Sequence, residues 1–161
     1  MKSTKKIFII GLGNILLKDE GFGIHFVQYL KTKKWPKNCF ITDNIEIIDA
    51  GTSSFDLLPL LNSKDFFIFI DVIKTKSPVG SIFRFDNNSV DLLNAREFYS
   101  LHQIGFLELI NTCRLLNKNI NFAIFAVVPK VIGWGMELTP LLKKKLPQAA
   151  KLIEDEILLL I

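Results

Sequence analysis

Cysteine is scarce in this chain. Cys39 and Cys113 are the only two, and they stand far apart, in no metal or redox spacing. That excludes a disulfide framework and a thiolate metal knot, and two reduced thiols in a cytoplasm are the expectation. No His-Glu-x-x-His helix and no Gly-x-Ser-x-Gly elbow occurs, which removes the commonest zinc-peptidase and serine-hydrolase signatures. No apolar run is long enough to cross a bilayer; even Phe122–Trp134 is cut by Pro129 and Lys130. Lys2, Lys5 and Lys6 ahead of Ile7–Leu17 imitate a signal peptide, but Lys18-Asp19-Glu20 follows instead of a small-residue cleavage site. That segment therefore reads as a first strand and its loop. Internal repeats, low-complexity tracts and linkers are also missing.

What remains fits one domain spanning residues 1–161. Hydrophobic residues make up 49% and mean hydropathy is +0.31, enough for a substantial core. The net charge is +4, but the lysines scatter among Lys31–Lys34, Lys74–Lys76 and Lys143–Lys145. A solvated surface accounts for them better than a nucleic-acid footprint does.

The organising stretch is Ile7 to Gly23. Ile7–Ile10 is apolar on both faces, as in a strand buried mid-sheet. Gly11 and Gly13 follow at a sharp turn. Leu16 replaces the third glycine of a dinucleotide fingerprint, and ten residues separate strand from helix, so nucleotide binding is not expected. Asp19 and Glu20 then precede the helical pattern of Ile24, Val27 and Leu30. Acids at that place complement a helix N-terminus. They also put a carboxylate, best assigned to Glu20, on a stiff turn at the carboxyl edge of a sheet, where α/β proteins build their sites.

Further along, the pattern predicts a helix over Phe22–Lys33 and a strand over Ile45–Ile48. Ser53 or Ser54 would cap a short helix that turns Phe55, Leu58 and Leu61 inward. A third strand, Phe66–Ile70, ends on Asp71. Alternation predicts another strand over Ser81–Phe85. His102 opens a helix bearing Phe106, Leu109, Ile110, Cys113 and Leu116. Asn121–Val128 is the last strand, Gly133-Trp134-Gly135 a tight loop, and Leu138–Leu160 a closing helix. The fold class is α/β with three layers: a twisted, mostly parallel sheet of about five strands between helices, of the phosphorylase/hydrolase-like kind.

Glu20, Asp71 and His102 all fall where side chains should converge. Two carboxylates and an imidazole form a ligand set for a divalent first-row metal, nickel, zinc or manganese among them. Each also has a plainer reading, Asp71 as a turn cap and His102 as a backbone-bonded helix start. His25 reads as structural. Cys113 falls on the apolar face of its helix, as a buried inert thiol.

Gly11-Leu12-Gly13-Asn14-Ile15-Leu16-Leu17-Lys18-Asp19-Glu20-Gly21-Phe22-Gly23 resembles the opening motif of the nickel–iron hydrogenase maturation endopeptidases. Asp49-Ala50-Gly51-Thr52, the strand ending in Asp71, Ser100-Leu101-His102-Gln103-Ile104-Gly105 and Trp134-Gly135-Met136-Glu137-Leu138-Thr139-Pro140 are similar to later family pieces, in order. Asn87–Tyr99 and Lys74–Pro78 match nothing.

The resemblance implies a cytoplasmic endopeptidase of the aspartic type that removes the C-terminal extension of a hydrogenase large-subunit precursor after nickel insertion. It implies that Glu20, Asp71 and His102 are the catalytic and metal-binding residues, with nickel supplied by the precursor. Asp49 would take part in substrate recognition. The precursor would be the partner, with neither nucleic acid nor membrane. A rival is peptidyl-tRNA hydrolase, which shares the strand and Gly-Leu-Gly-Asn, but Ile15 follows Asn14 and the Thr-Arg-His-Asn block is absent. A non-catalytic nickel-binding maturation chaperone would keep the same ligands and cut nothing.

Overall fold

The computed structural model describes residues 5–32, 44–94 and 103–160. Among them the elements are β1 (Ile7–Leu12), α1 (Phe22–Thr32), β2 (Ile45–Gly51), β3 (Phe66–Val72), β4 (Ile82–Asp86), α2 (Gln103–Leu115), β5 (Asn121–Val127), α3 (Pro140–Lys143) and α4 (Leu146–Leu160). Short 3-10 turns lie at Asp19–Gly21, Ser54–Leu57 and Val90–Asn94.

The described strands form one five-stranded sheet in the order β2-β1-β3-β5-β4. The first four are parallel in register; β4 runs antiparallel to β5. β1, β3 and β5 are apolar almost throughout because both faces of the sheet are covered. Alternate residues divide between two cores. Ile7, Ile9, Ile68, Ile70 and Phe125 pack with α1 and α4. Phe8, Ile10, Phe67, Phe69 and Phe122 pack with α2 and the Leu57–Leu61 segment. Aromatic rings fill the second core: Phe8 stacks on Phe67 at 5.2 Å, and Phe106 meets Phe69 edge-on at 4.9 Å.

The connection from β1 to β2 moves one way along the sheet and that from β2 to β3 moves back past β1. With right-handed crossovers, these must lie on opposite faces, and they do: α1 covers the first core and the 54–61 segment the second. The strand order therefore reverses at β1, which makes the carboxyl ends of β1 and β3 the switch point where α/β sheets place their sites.

Several local expectations need correction. Phe55 is 44% exposed, and Leu57 is the buried apolar residue of that turn. Ser53 occupies the cap position but makes no capping bond. Leu116 lies past the end of α2 and is exposed. The closing helix is two helices, α3 and α4. Pro147 explains the break: a continuous helix would require its absent N–H to bond the Lys143 carbonyl, so the proline falls in the first turn of α4 instead. Val90, in a stretch too polar to assign from sequence, is fully buried.

Cys113 is buried on α2, and burial pushes its thiol up; Cys39 lies outside the described residues. Replacing both by Ser is expected to leave the rate of precursor cleavage intact. Cys113→Ser should destabilise the fold by about 1–3 kcal/mol, because a hydroxyl would be buried among apolar groups. Denaturant melts with a cleavage assay on the same preparation check this; a folded, inactive double variant would return a cysteine mechanism.

Candidate active site

Two buried acids lie at this switch point. Glu20 is 1% exposed, in the Asp19–Gly21 turn after β1, and Asp71 is 2% exposed, within the last turn of alternation of β3. The turn is brought to the strand ends by close backbone packing. A Cβ on Gly23, the second residue of α1, would strike the carbonyl oxygens of both Leu12 and Ile70. The start of α1 is thus wedged between β1 and β3, with Glu20 three residues upstream of the wedge and Asp71 one residue after Ile70.

Asp71 accepts the Val72 N–H at 2.7 Å. Burial pushes its carboxyl up to about 7, that hydrogen bond pulls the other way, and the negative charge of Glu20 adds to the rise. The two groups therefore share one electrostatic neighbourhood, and Asp71 exchanges its proton near neutral pH. Asp71 is in register with Ala126, on the face of the second core. That face is covered by α2, whose Phe106 packs on Phe69, two residues before Asp71.

His102 immediately precedes α2 in the chain and lies outside the described residues. Among the described residues no group of three or more His, Cys, Asp or Glu forms a metal-holding cluster. Asp49 is exposed at the carboxyl end of β2, where it accepts the Gly51 N–H at 3.1 Å. Gly51 in turn accepts the Gly13 N–H, which ties this end of β2 to the opening loop. His25 is structural, with its Nε2 2.9 Å from the Met136 carbonyl.

Sequence reasoning took Asp19 as a helix-start acid and missed what it does. Its carboxylate is fully buried and accepts four hydrogen bonds from a distant loop: Lys130 N, Val131 N, Thr139 N and Thr139 Oγ1, at 2.7–2.9 Å. Around it, Lys18 N donates to Gly135 O, Gly135 N to Leu16 O, and Asp19 N to Val131 O. Asp19 is the staple between the 14–19 loop and the 130–139 loop, and it fixes the backbone next to Glu20. Its partners lie 111 to 120 residues away, so no local pattern reveals them. Asp19→Ala is expected to destabilise the fold by about 3–5 kcal/mol, since three backbone N–H groups would lose a charged acceptor. A melting temperature within 2 °C of the parent, as an order-of-magnitude limit, would contradict that.

Elsewhere, two surface cavities are lined by Asn62, Asn117, Lys118, Asn119 and Asn121. They lie at the amino ends of β3 and β5, away from the acids, and Lys118 Nζ there is bonded to the Leu58 and Leu61 carbonyls. No described helix is long and apolar enough to cross a membrane.

A profile described as hydrogenase maturation protease matches residues 24–156. The hydrogenase expression/formation protein HupD of Bradyrhizobium diazoefficiens is 31% identical over 137 residues, covering 84% of this chain and 69% of that protein. The hydrogenase 2 maturation protease of Escherichia coli is 27% identical, covering 84% and 80%. Among solved structures, the E. coli hydrogenase-maturating endopeptidase HybD superposes with a TM-score of 0.79 at 26% identity, over 92% of this chain and 89% of that one. The twisted, mostly parallel sheet between helices is the fold expected from the sequence. A family match over residues 24–156 and the shared fold of a hydrogenase-maturating endopeptidase lead to one assignment: this chain belongs to the hydrogenase maturation proteases.

Proposed function

We propose that this protein hydrolyses one peptide bond of a nickel–iron hydrogenase large-subunit precursor, releasing the C-terminal extension once nickel is in place. The observation that carries the reading is the buried Glu20–Asp71 pair at the β1/β3 switch point, with Asp71 raised to about 7. Two acids out of water repel each other and favour holding a proton. A dication presented by the substrate removes that conflict. Glu20, Asp71 and His102 would hold the precursor's nickel, the ion competing with the proton for Asp71. His102 is included because it stands directly before α2, which covers the face on which Asp71 lies.

Docking then performs two tasks. It fixes the scissile peptide relative to the ion, which supplies the positioning contribution. A nickel ion held there would supply Lewis-acid chemistry, and the net reaction is hydrolysis: a water oxygen bonds to the peptide carbonyl carbon, the C–N bond breaks, and the leaving nitrogen takes the water's proton. No protein nucleophile is needed. Asp49, exposed at the neighbouring strand end, contacts the precursor chain during recognition. A precursor without nickel lacks the bridge, so cleavage acts as a checkpoint on metal insertion. The cytoplasm, where precursors are assembled and thiols such as Cys113 stay reduced, is the compartment that fits.

Purified protein incubated with nickel-loaded precursor and with precursor from nickel-starved cells tests this. Only the first should be shortened. Its KM should rise as pH falls below 7, because protons compete with the ion for Asp71. Equal cutting of both precursors would remove nickel from the mechanism.

A further inference from the structure

The two loops that Asp19 staples together carry an unusual outer surface. Trp134 is 83% exposed, Met136 57% and Leu16 47%. Gly135, between the first two, pairs with Leu17 and bonds the Leu16 carbonyl, so the three side chains come from one interlocked piece of backbone. The stem of Lys18 runs against Gly135. This surface is held rigidly. The Met136 carbonyl meets His25 of α1, and the Thr139, Val131 and Lys130 N–H groups all end on Asp19. Its backbone continues without a break into Glu20.

Large apolar side chains on a stiff loop tip lose favourable burial unless a partner covers them. Trp and Met are also enriched among residues that anchor protein interfaces. A protein substrate needs such an anchor, since specific protein contacts cover far more area than a site of two carboxylates. We infer that Trp134, with Met136 and Leu16, is the docking surface for the hydrogenase large-subunit precursor and a determinant of which precursor is accepted. The inference rests on the proposed reaction: Trp134 binds an apolar patch on the folded precursor while the acids meet its metal. Rigid attachment makes the distance from anchor to Glu20 a fixed ruler, so the surface selects precursors by the spacing between that patch and the bond to be cut.

The test is steady-state cleavage of nickel-loaded precursor by the parent protein, Trp134→Ser, Trp134→Phe and Met136→Ser. Trp134→Ser should raise KM about tenfold or more while kcat changes less than about threefold. Trp134→Phe should recover most of the loss, and Met136→Ser should shift KM in the same direction as Trp134→Ser. Circular dichroism melts should coincide with the parent, since the side chains are exposed. A KM for Trp134→Ser equal to the parent's, in a preparation that cleaves, overturns the docking role and leaves the reaction standing. A parent protein that does not cleave nickel-loaded precursor overturns both.

Discussion

Asp71→Asn is expected to stabilise the free protein at pH 8 while stopping precursor cleavage. Burial raises the folded carboxyl to about 7, from an ordinary value of 3.8. Below 3.8 the group is neutral in both states and burying it carries no charge penalty. Between 3.8 and 7 the folded state holds more protons than the unfolded one, so stability falls as pH rises. By pH 8 the ionised carboxylate costs the fold at most about 4 kcal/mol, taking 1.36 kcal/mol for each pH unit of the shift. Asparagine carries no charge, and its carbonyl oxygen can still accept the Val72 N–H. The melting temperature of Asp71→Asn should exceed the parent's at pH 8, and the gap should close towards pH 4. The same substitution removes an anionic ligand, and cleavage of nickel-loaded precursor should fall by about 100-fold or more, as for groups acting as one unit. A variant with the parent's stability at both pH values would mean that Asp71 is not held in a dehydrated, charge-averse place.

Gly23→Val is expected to prevent folding. A side chain there has no space, since its first carbon would overlap the Leu12 and Ile70 carbonyls, which belong to β1 and β3 themselves. Neither can retreat without breaking the sheet. Gly13→Val should fail similarly: its φ is +141°, and its Cβ would strike the Glu20 carbonyl. Each change should cost more than about 3 kcal/mol, a large share of the 5–15 kcal/mol that holds a domain together. Gly133→Ala is the control, because nothing lies near its missing Cβ and its φ is not positive. Soluble yield and thermal melts of the three variants decide this. A Gly23→Val protein with parental melting behaviour would show that α1 is not wedged onto the strand ends.

The contrast between those glycines and Asp19 shows how far sequence reaches. β1 and β3 were legible because strands buried on both faces are continuous apolar runs; Asp71 stood out as a charge directly following such a run, and Glu20 as an acid at the end of the loop before the next helix. The helix after Glu20 was legible from its apolar period. The direction of β4 was not, because alternation marks a strand without giving the partner it pairs with. Nor was the break between α3 and α4, where apolar periodicity runs on and only Pro147 interrupts it. Phe55 was misplaced because a four-residue 3-10 turn presents a different face from an α-helix of the same sequence. Asp19 was misread for a deeper reason. Next to Glu20 and before a helix, its local pattern is that of a capping acid, whereas its carboxylate's hydrogen bonds are all tertiary.

The most direct measurement is the intact mass of nickel-loaded hydrogenase large-subunit precursor after incubation with the parent protein or with Glu20→Gln. The substitution keeps the shape of the buried side chain and removes its charge. With the parent protein, the precursor mass should fall by that of a single C-terminal peptide, and the released peptide should appear. With Glu20→Gln, melting cooperatively like the parent, the precursor mass should stay unchanged. Cleavage by Glu20→Gln at the parental rate would contradict a carboxylate-centred site and reduce the loop after β1 to a structural turn.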